Sequence, residues 1–244
     1  MELKLVKKDF ADNFLNVISK TVDVASIKAN SNGIYTVCNK PDTSIILLGK
    51  YNTSLDLTEE VTLNIGDIKK LLRVVDCIED ENVVFKINSN NLTYKSPSVQ
   101  FKYHFLDDSI VPKVSLKKEK IENLELDTFF DLDFKKFQEI LKASSFTTDT
   151  NKIYIFGQTD GCYCELGDKE KSNTDSIILK ISDTIEGQPL SQVIPFNLDI
   201  FRVISGIRFE KARIGINLKF KVLSFFIKPT NETEFKFIIS GLVK

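Results

Sequence analysis

The sequence predicts an α+β fold in which strands dominate, arranged as two similar domains. Three observations carry this expectation. Short runs rich in Ile, Val, Phe, Tyr and Thr alternate with turn residues along the whole chain; few segments show helical periodicity; and the order of segments in the first half returns in the second. Parallel sheets need a crossover for each adjacent pair of strands, and the helices are too few to supply them, so antiparallel hairpins are the natural connection.

The first helix is expected over residues 8–21, where Phe10, Phe14, Val17, Ile18 and Thr21 form one stripe and Asp12, Asn16 and Lys20 point the other way. Strands follow at 33–39 and 44–49, the first entered through Asn30-Ser31-Asn32-Gly33, a sequence suited to chain reversal. A second helix over 65–76 gathers Ile65, Ile68, Leu71, Leu72 and Val75 on one face and leaves Lys70 and Arg73 opposite. Strands at 82–88 and 98–105 complete this half. Residues 107–123 have no clean period and read as a connector between a domain at 1–106 and another at 124–244. The second part of the connector is charged and reads as solvated, whereas Ile110, Val111, Pro112 and Val114 are more apolar than a passive linker requires.

The third helix starts near Asp131 or Asp133, either of which is a candidate cap, and buries Phe134, Phe137, Ile140 and Leu141 beneath an outer face of Lys135, Glu139 and Lys142. A fourth, over 198–207, packs Leu198, Phe201 and Ile204 and exposes Arg202. Strands are expected at 153–158, 176–181, 213–217 and 234–239. The repetition is legible in particular residues. Asn32-Gly33-Ile34-Tyr35 is echoed by Asn151-Lys152-Ile153-Tyr154, and the same offset matches Leu15, Ile18 and Val22 to Phe134, Phe137 and Leu141. Ile68 and Leu71 correspond to Leu198 and Phe201, and Phe101-Lys102-Tyr103 to Phe235-Lys236-Phe237.

Composition narrows the function classes. With 42% hydrophobic and 27% charged residues, and only 6 Pro and 10 Gly among 244, the chain is a folded globular protein rather than a disordered or collagenous one. Its 33 basic and 34 acidic side chains leave no bulk charge to announce a polyanionic partner, so any electrostatic function must come from how charge is distributed. The longest apolar runs, 45–48 and 153–156, fall far short of the roughly 18 residues of a membrane span. The N-terminus lacks a signal-peptide pattern, and Cys38, Cys77, Cys162 and Cys164 are too few and too irregular for a disulfide framework, so a cytoplasmic setting is expected.

No catalytic constellation assembles. His104 is the sole histidine and sits in a strand-like run; Cys162-Tyr163-Cys164 puts two thiols on one strand face without a second pair to complete a zinc site. Phosphate-binding and dinucleotide-binding glycine motifs are missing from the sequence. The acidic groups Glu59-Glu60, Glu79-Asp80-Glu81 and Asp107-Asp108 occupy turns where solvated charge is ordinary. Neither a catalytic residue, a metal nor a cofactor is assigned, and the chain does not read as an enzyme.

The duplicated helix and strand unit, the helix at 67–74 with its basic outer face, the 107–123 connector and the terminal Phe235-Lys236-Phe237-Ile238-Ile239-Ser240 together resemble DNA sliding clamps. The likeness is specifically to the two-domain type of T-even-like tailed phages, with the proliferating-cell nuclear antigens (PCNA) as more distant relatives. That resemblance implies two clamp-type domains, each with antiparallel sheets and two helices, and a homotrimeric ring around duplex DNA. Lys20, Lys70, Arg73, Lys135, Lys142 and Arg202 would face the phosphates from the helices, with acidic residues on strands and turns outside. Strand edges around Val99, Phe101 and Tyr103 would meet Ser176, Ile178 and Lys180 of a neighbouring copy, the second of these strands lying behind an insertion at 165–174. A partner peptide would dock on Ile110, Val111, Pro112, Leu242 and Val243. The implied partners are double-stranded DNA, a DNA polymerase and an ATP-dependent clamp loader, with no membrane, in a host cytoplasm if the chain is phage-encoded. Two other readings stay open: a monomeric DNA-binding processivity factor of the same fold, and a metal-dependent nuclease built on the acidic turns.

Overall fold

The computed structural model describes residues 1–114, 116–147, 150–171 and 173–242. The chain divides into two compact units, Met1–Glu122 with Thr230–Phe235, and Asn123–Pro229 with Lys236–Lys244.

In the first unit, β1 (Glu2–Val6) leads into α1, which has π form over Asp9–Leu15 and α form over Asn16–Ser19. There follow β2 (Ala25–Asn30), β3 (Gly33–Asn39), β4 (Ile45–Asn52), β5 (Val61–Ile65), α2 (Ile68–Asp76), β6 (Asn82–Asn88), β7 (Asn91–Lys95), β8 (Gln100–His104) and a short α3 (Lys118–Glu122). The strands form two antiparallel arrays, in the orders β1-β6-β7-β8 and β5-β2-β3-β4. Strict alternation makes each sheet two-faced: in β6, Val83, Phe85 and Ile87 are buried while Asn82, Val84, Lys86 and Asn88 are exposed. The buried face packs on α1, with ring centroids 5.9 Å apart between Phe10 and Phe85 and 6.4 Å between Phe14 and Tyr51.

The second unit begins with β9 (Thr128–Asp133) and α4 (Phe134–Ala143), followed by β10 (Lys152–Gln158), β11 (Gly161–Leu166), β12 (Ile177–Ser182), β13 (Glu186–Gly187) and β14 (Ile194–Asn197). Then come α5 (Asp199–Ile204), β15 (Lys211–Asn217), β16 (Val222–Ile227) and β17 (Thr233–Ser240), of which the part up to Phe235 is counted with the first unit. Its arrays run β12-β11-β10-β14 and β13-β9-β15-β16-β17. Phe137 is the hub of the core, with centroids 6.0, 5.3 and 5.8 Å from Phe201, Phe209 and Phe225.

Corresponding backbone bonds display the duplication. Ile68 N–H donates to the Asp23 carbonyl at 3.0 Å just as Leu198 N–H donates to that of Asn151 at 2.7 Å. Beyond the last strand of each half, Leu106 N–H reaches the Asn64 carbonyl at 2.9 Å and Leu242 N–H that of Pro195 at 2.8 Å. The pairing of Ile68 with Leu198 matches the sequence reading, but the echo of Asn32-Gly33 in Asn151-Lys152 does not. Gly33, with φ +132°, opens β3 after the hairpin turn, and its counterpart is Gly161, with φ +147°, opening β11. A Cβ at either position would collide with a backbone carbonyl, that of Tyr51 or of Ser182, so both backbone approaches require glycine.

Several local expectations change. Ile65 ends β5 rather than starting a helix, because Asp67 caps α2 by accepting a bond from Lys70 N–H at 2.8 Å. Asp133 stands at the N-cap position of α4 but makes no side-chain capping bond, while Asp131 lies within β9 and pairs with Arg213 at 3.1 Å. The π form of α1 takes more residues per turn than the 3.6 assumed for its stripe, and Lys20, expected outside, is half-buried. The charged part of the connector is not merely solvated. It forms α3, where Lys118 Nζ lies 4.4 Å from the Tyr35 ring centre and Glu122 meets Lys50 at 2.6 Å, fastening the segment to the first unit.

Candidate nucleic-acid interface and open sheet edges

Helix α2 is amphipathic over its whole length. Ile68, Leu71 and Val75 are buried, and Lys69, Lys70 and Arg73 are exposed on the other side. Lys69 is tied to Asp23 at 2.9 Å; the side chains of Lys70 and Arg73 have no hydrogen bond or ion pair among the described residues. They project as unneutralised cations beside α1, against which α2 packs. Lys20, at the end of α1, is half-buried, and desolvation holds its ammonium below the ordinary lysine range.

In the second unit Lys135 and Lys142 are exposed on α4 and likewise make no ion pair among the described residues. Between them Lys136 pairs with Glu139 at 2.9 Å, which with the neighbouring lysines holds the Glu139 carboxyl below its usual range. Arg202 on α5 differs from the rest. Its guanidinium donates to Asp199 Oδ1 at 2.6 Å and to Asn151 Oδ1 at 2.9 Å, so a local carboxylate answers its charge. The six predicted cations therefore fall into three kinds: four free and exposed, one desolvated, one neutralised. Lys69 and Lys136 lie on the same two helices and were not singled out by sequence; their basic side chains at helical spacing were the available signal.

Strand edges flank these helices in each unit. In the first, β8 ends the array β1-β6-β7-β8, and in the second, β12 ends β12-β11-β10-β14. Val99 and Ser176 stand one residue ahead of those strands, while Phe101, Tyr103, Ile178 and Lys180 lie within them. The bonds Phe105 N–H to Asn90 carbonyl (2.9 Å) and Ser96 N–H to Val99 carbonyl (2.8 Å) fix the alternation of β8. Val99, Phe101, Tyr103 and Phe105 turn their backbone groups to β7, and Gln100, Lys102 and His104 turn theirs to the open side. The sequence reading picked the inward set. On β12, Ile178 is 54% exposed, and Lys180 is held by Asp160 at 3.2 Å and Asp183 at 3.0 Å. The insertion leaves a defined register, Glu165 opposite Ile178 and Leu166 opposite Ile177, with a bulge between Cys162 and Tyr163.

The predicted peptide pocket is distributed. Val111 and Pro112 line a groove of about 640 Å³ over β2, β3 and β5, whereas Ile110 is 65% exposed outside that lining. Leu242 lines a cavity of about 390 Å³ with Tyr154, Val193 and Pro195. Val243 lies outside the described residues.

Four carboxylates of the acidic turns are engaged in local hydrogen bonds. Glu60 accepts from Lys28 and from the Tyr35 hydroxyl, both at 2.7 Å; Asp80 accepts from Tyr94 at 2.6 Å. Asp107 accepts from Ser109 N–H (2.9 Å) and Oγ (2.6 Å), which holds its carboxyl low, and Asp108 accepts from Asn64 at 2.5 Å. Among the described residues no three His, Cys, Asp or Glu side chains stand together in a way that could hold a metal ion. Burial pushes the Cys38 and Cys164 thiols up to about 12, far from a reactive thiolate, and raises Cys162 as well.

Over its full length the chain has the fold of PCNA clamps. It superimposes on A. fulgidus PCNA, solved with the C-terminal region of FEN-1 bound, with a TM-score of 0.78, 14% identity, and coverage of 100% of this chain and 98% of that one. Against PCNA from Entamoeba histolytica the TM-score is 0.75 at 14% identity, covering 99% and 98%. No protein-family model and no curated protein matches the sequence.

Proposed function

We propose that this chain is a DNA sliding clamp: a non-enzymatic ring of three copies that encircles duplex DNA without reading its sequence and tethers a DNA polymerase for processive synthesis. The observation that carries the reading is the pair of different open edges, β8 in one unit and β12 in the other. An edge strand left open invites pairing with another chain, and two non-identical edges on one chain favour a head-to-tail contact, which closes into a ring. The exposed Lys70, Arg73, Lys135 and Lys142 suit a mobile grip on phosphate, because long cationic side chains neutralise backbone charge and read no base. The clamp fold shared with PCNA supports the same reading.

Partner proteins would dock through short segments, as the FEN-1 region does on its PCNA, with Val111, Pro112 and Leu242 as candidate contacts. The polymerase, the ATP-dependent loader, a phage source and a place in the host cytoplasm are parts of this reading that rest on the sequence resemblance. A nuclease is not favoured, since Glu60, Asp80, Asp107 and Asp108 each serve a local hydrogen bond.

Light scattering tests closure: a species near three times the 27.8 kDa chain mass is expected, and a monomer at high concentration sinks the ring. Lys70→Glu with Arg73→Glu should then abolish stimulation of processive synthesis while leaving that mass unchanged. Undiminished synthesis would remove α2 from the DNA interface.

A further inference from the structure

A second basic surface lies on the opposite side of the first unit from α1 and α2. The β1-β6-β7-β8 sheet buries Leu3, Leu5, Val83, Phe85, Leu92, Tyr94 and Tyr103 on its helix-facing side. Alternation sends Lys4, Lys86, Lys95 and Lys102 to the other side, where all four are exposed. Register brings them together: Lys86 stands opposite Thr93, Thr93 opposite Lys102, and Lys95 opposite Gln100, while Lys4 is opposite Val84, two residues from Lys86. None of the four has an ion pair among the described residues; the one acid these strands turn to that face is Glu2, which stands opposite Lys86. Adjacent strands are about 4.8 Å apart, so the cations spread over about 14 Å from β1 to β8. A clamp reading puts acidic residues on its outer strands; this sheet carries lysines instead.

We propose that this sheet face is a second nucleic-acid surface, which takes the phosphate backbone of duplex DNA. The groove of this unit lies over β2, β3 and β5, away from these lysines; Phe85, Tyr94 and Tyr103 of the sheet are buried on its inner side, and His104 is the ring that shares the lysine face. Protein interfaces centre on buried aromatic and Arg anchors and are poor in Lys, whereas a run of flexible point charges on an open sheet face is what backbone phosphates require. No Phe, Tyr or Trp of these strands is exposed on this face, and the single imidazole of His104 is not the row of rings on which successive bases of a single strand stack, which favours a duplex.

A covalently closed relaxed DNA circle isolates this face, because an unloaded ring cannot thread onto it. The combined variant Lys4→Ala, Lys86→Ala, Lys95→Ala and Lys102→Ala is compared with wild type in the full-length protein, with unchanged thermal unfolding and assembly mass as the folding control. Wild type should bind the circle at low salt, and the variant should lower the slope of log affinity against log salt by about 2 to 4, near one unit for each phosphate that is no longer neutralised. The four Lys→Arg replacements should retain binding. Wild type failing to bind, or equal slopes in the alanine variant, would overturn the proposal. So would a variant that loses binding to poly-glutamate yet keeps binding to the circle, since the face would then serve an acidic protein segment.

Discussion

The Tyr103 hydroxyl holds Asp67 by both backbone groups: it accepts from Asp67 N–H at 2.8 Å and donates to the Asp67 carbonyl at 3.0 Å. Asp67 is also the N-cap of α2, so one side chain ties the open edge strand β8 to the start of the helix that presents Lys70 and Arg73.

Tyr103→Phe keeps the ring and removes both bonds, leaving a part-buried donor and acceptor without a partner. A loss of about 1–3 kcal/mol is expected, read from the urea midpoint. If the clamp reading holds, the edge strand should also loosen and the assembly should dissociate at higher protein concentration than wild type. An unaltered midpoint would show that water replaces the hydroxyl.

Phe137 is fully buried against Phe134, Phe201, Phe209 and Phe225. Phe137→Ala leaves a cavity between α4, α5 and β16 and should cost about 3–5 kcal/mol, whereas Phe137→Leu should recover a large part of it. Chemical denaturation of the two variants side by side checks the ranking.

Thiol labelling should separate the cysteines by burial. Cys77 is exposed and should react with a maleimide in the folded protein, while Cys38, Cys162 and Cys164, buried and with raised pKa values, should react only after unfolding. Mass spectrometry after a short pulse at neutral pH should find one adduct per chain; two or more would mean that β3 or β11 opens.

Glu186 is the acid whose titration should be felt at the edge of the second unit. Its carboxylate receives both nitrogens of the Arg213 guanidinium, one at 3.0 Å, in the two-residue pairing of β13 with β9, and Arg213 holds its pKa below the ordinary 4.5. A depressed folded-state pKa contributes stability above the unfolded value and loses it as pH falls through the folded one. Glu186→Gln should therefore be less stable than wild type at neutral pH, with the gap closing as the medium is acidified below the usual glutamate range. Denaturant midpoints of both proteins across that range give the answer, and a gap independent of pH would assign the effect to packing instead.

Much of the fold was legible because alternation and helical stripes are local. The strand at 82–88 and the stripe of Ile68, Leu71 and Val75 follow from residue order alone. Strands such as β2, with small Ala25 and Ala29, and β7, with only Leu92 and Tyr94 as large apolar residues, are weak signals on their own and exist through pairing with neighbours. At the candidate site, Lys70, Arg73, Lys135 and Lys142 could be placed on exposed helix faces from periodicity. The fate of Arg202 could not, because Asn151, which shares its guanidinium with Asp199, is remote in sequence.

By itself the sequence determined the class of fold, the duplication and the faces of the main helices. Those properties depend on spacings within one segment or on the order of segments. Tertiary structure decided which strands are edges, which cations are neutralised or desolvated, which glycines are equivalent, and that four lysines from four different strands share one sheet face. Each of these is a relation between segments remote in the chain, set by strand register and packing, and register is invisible until both partners are in place.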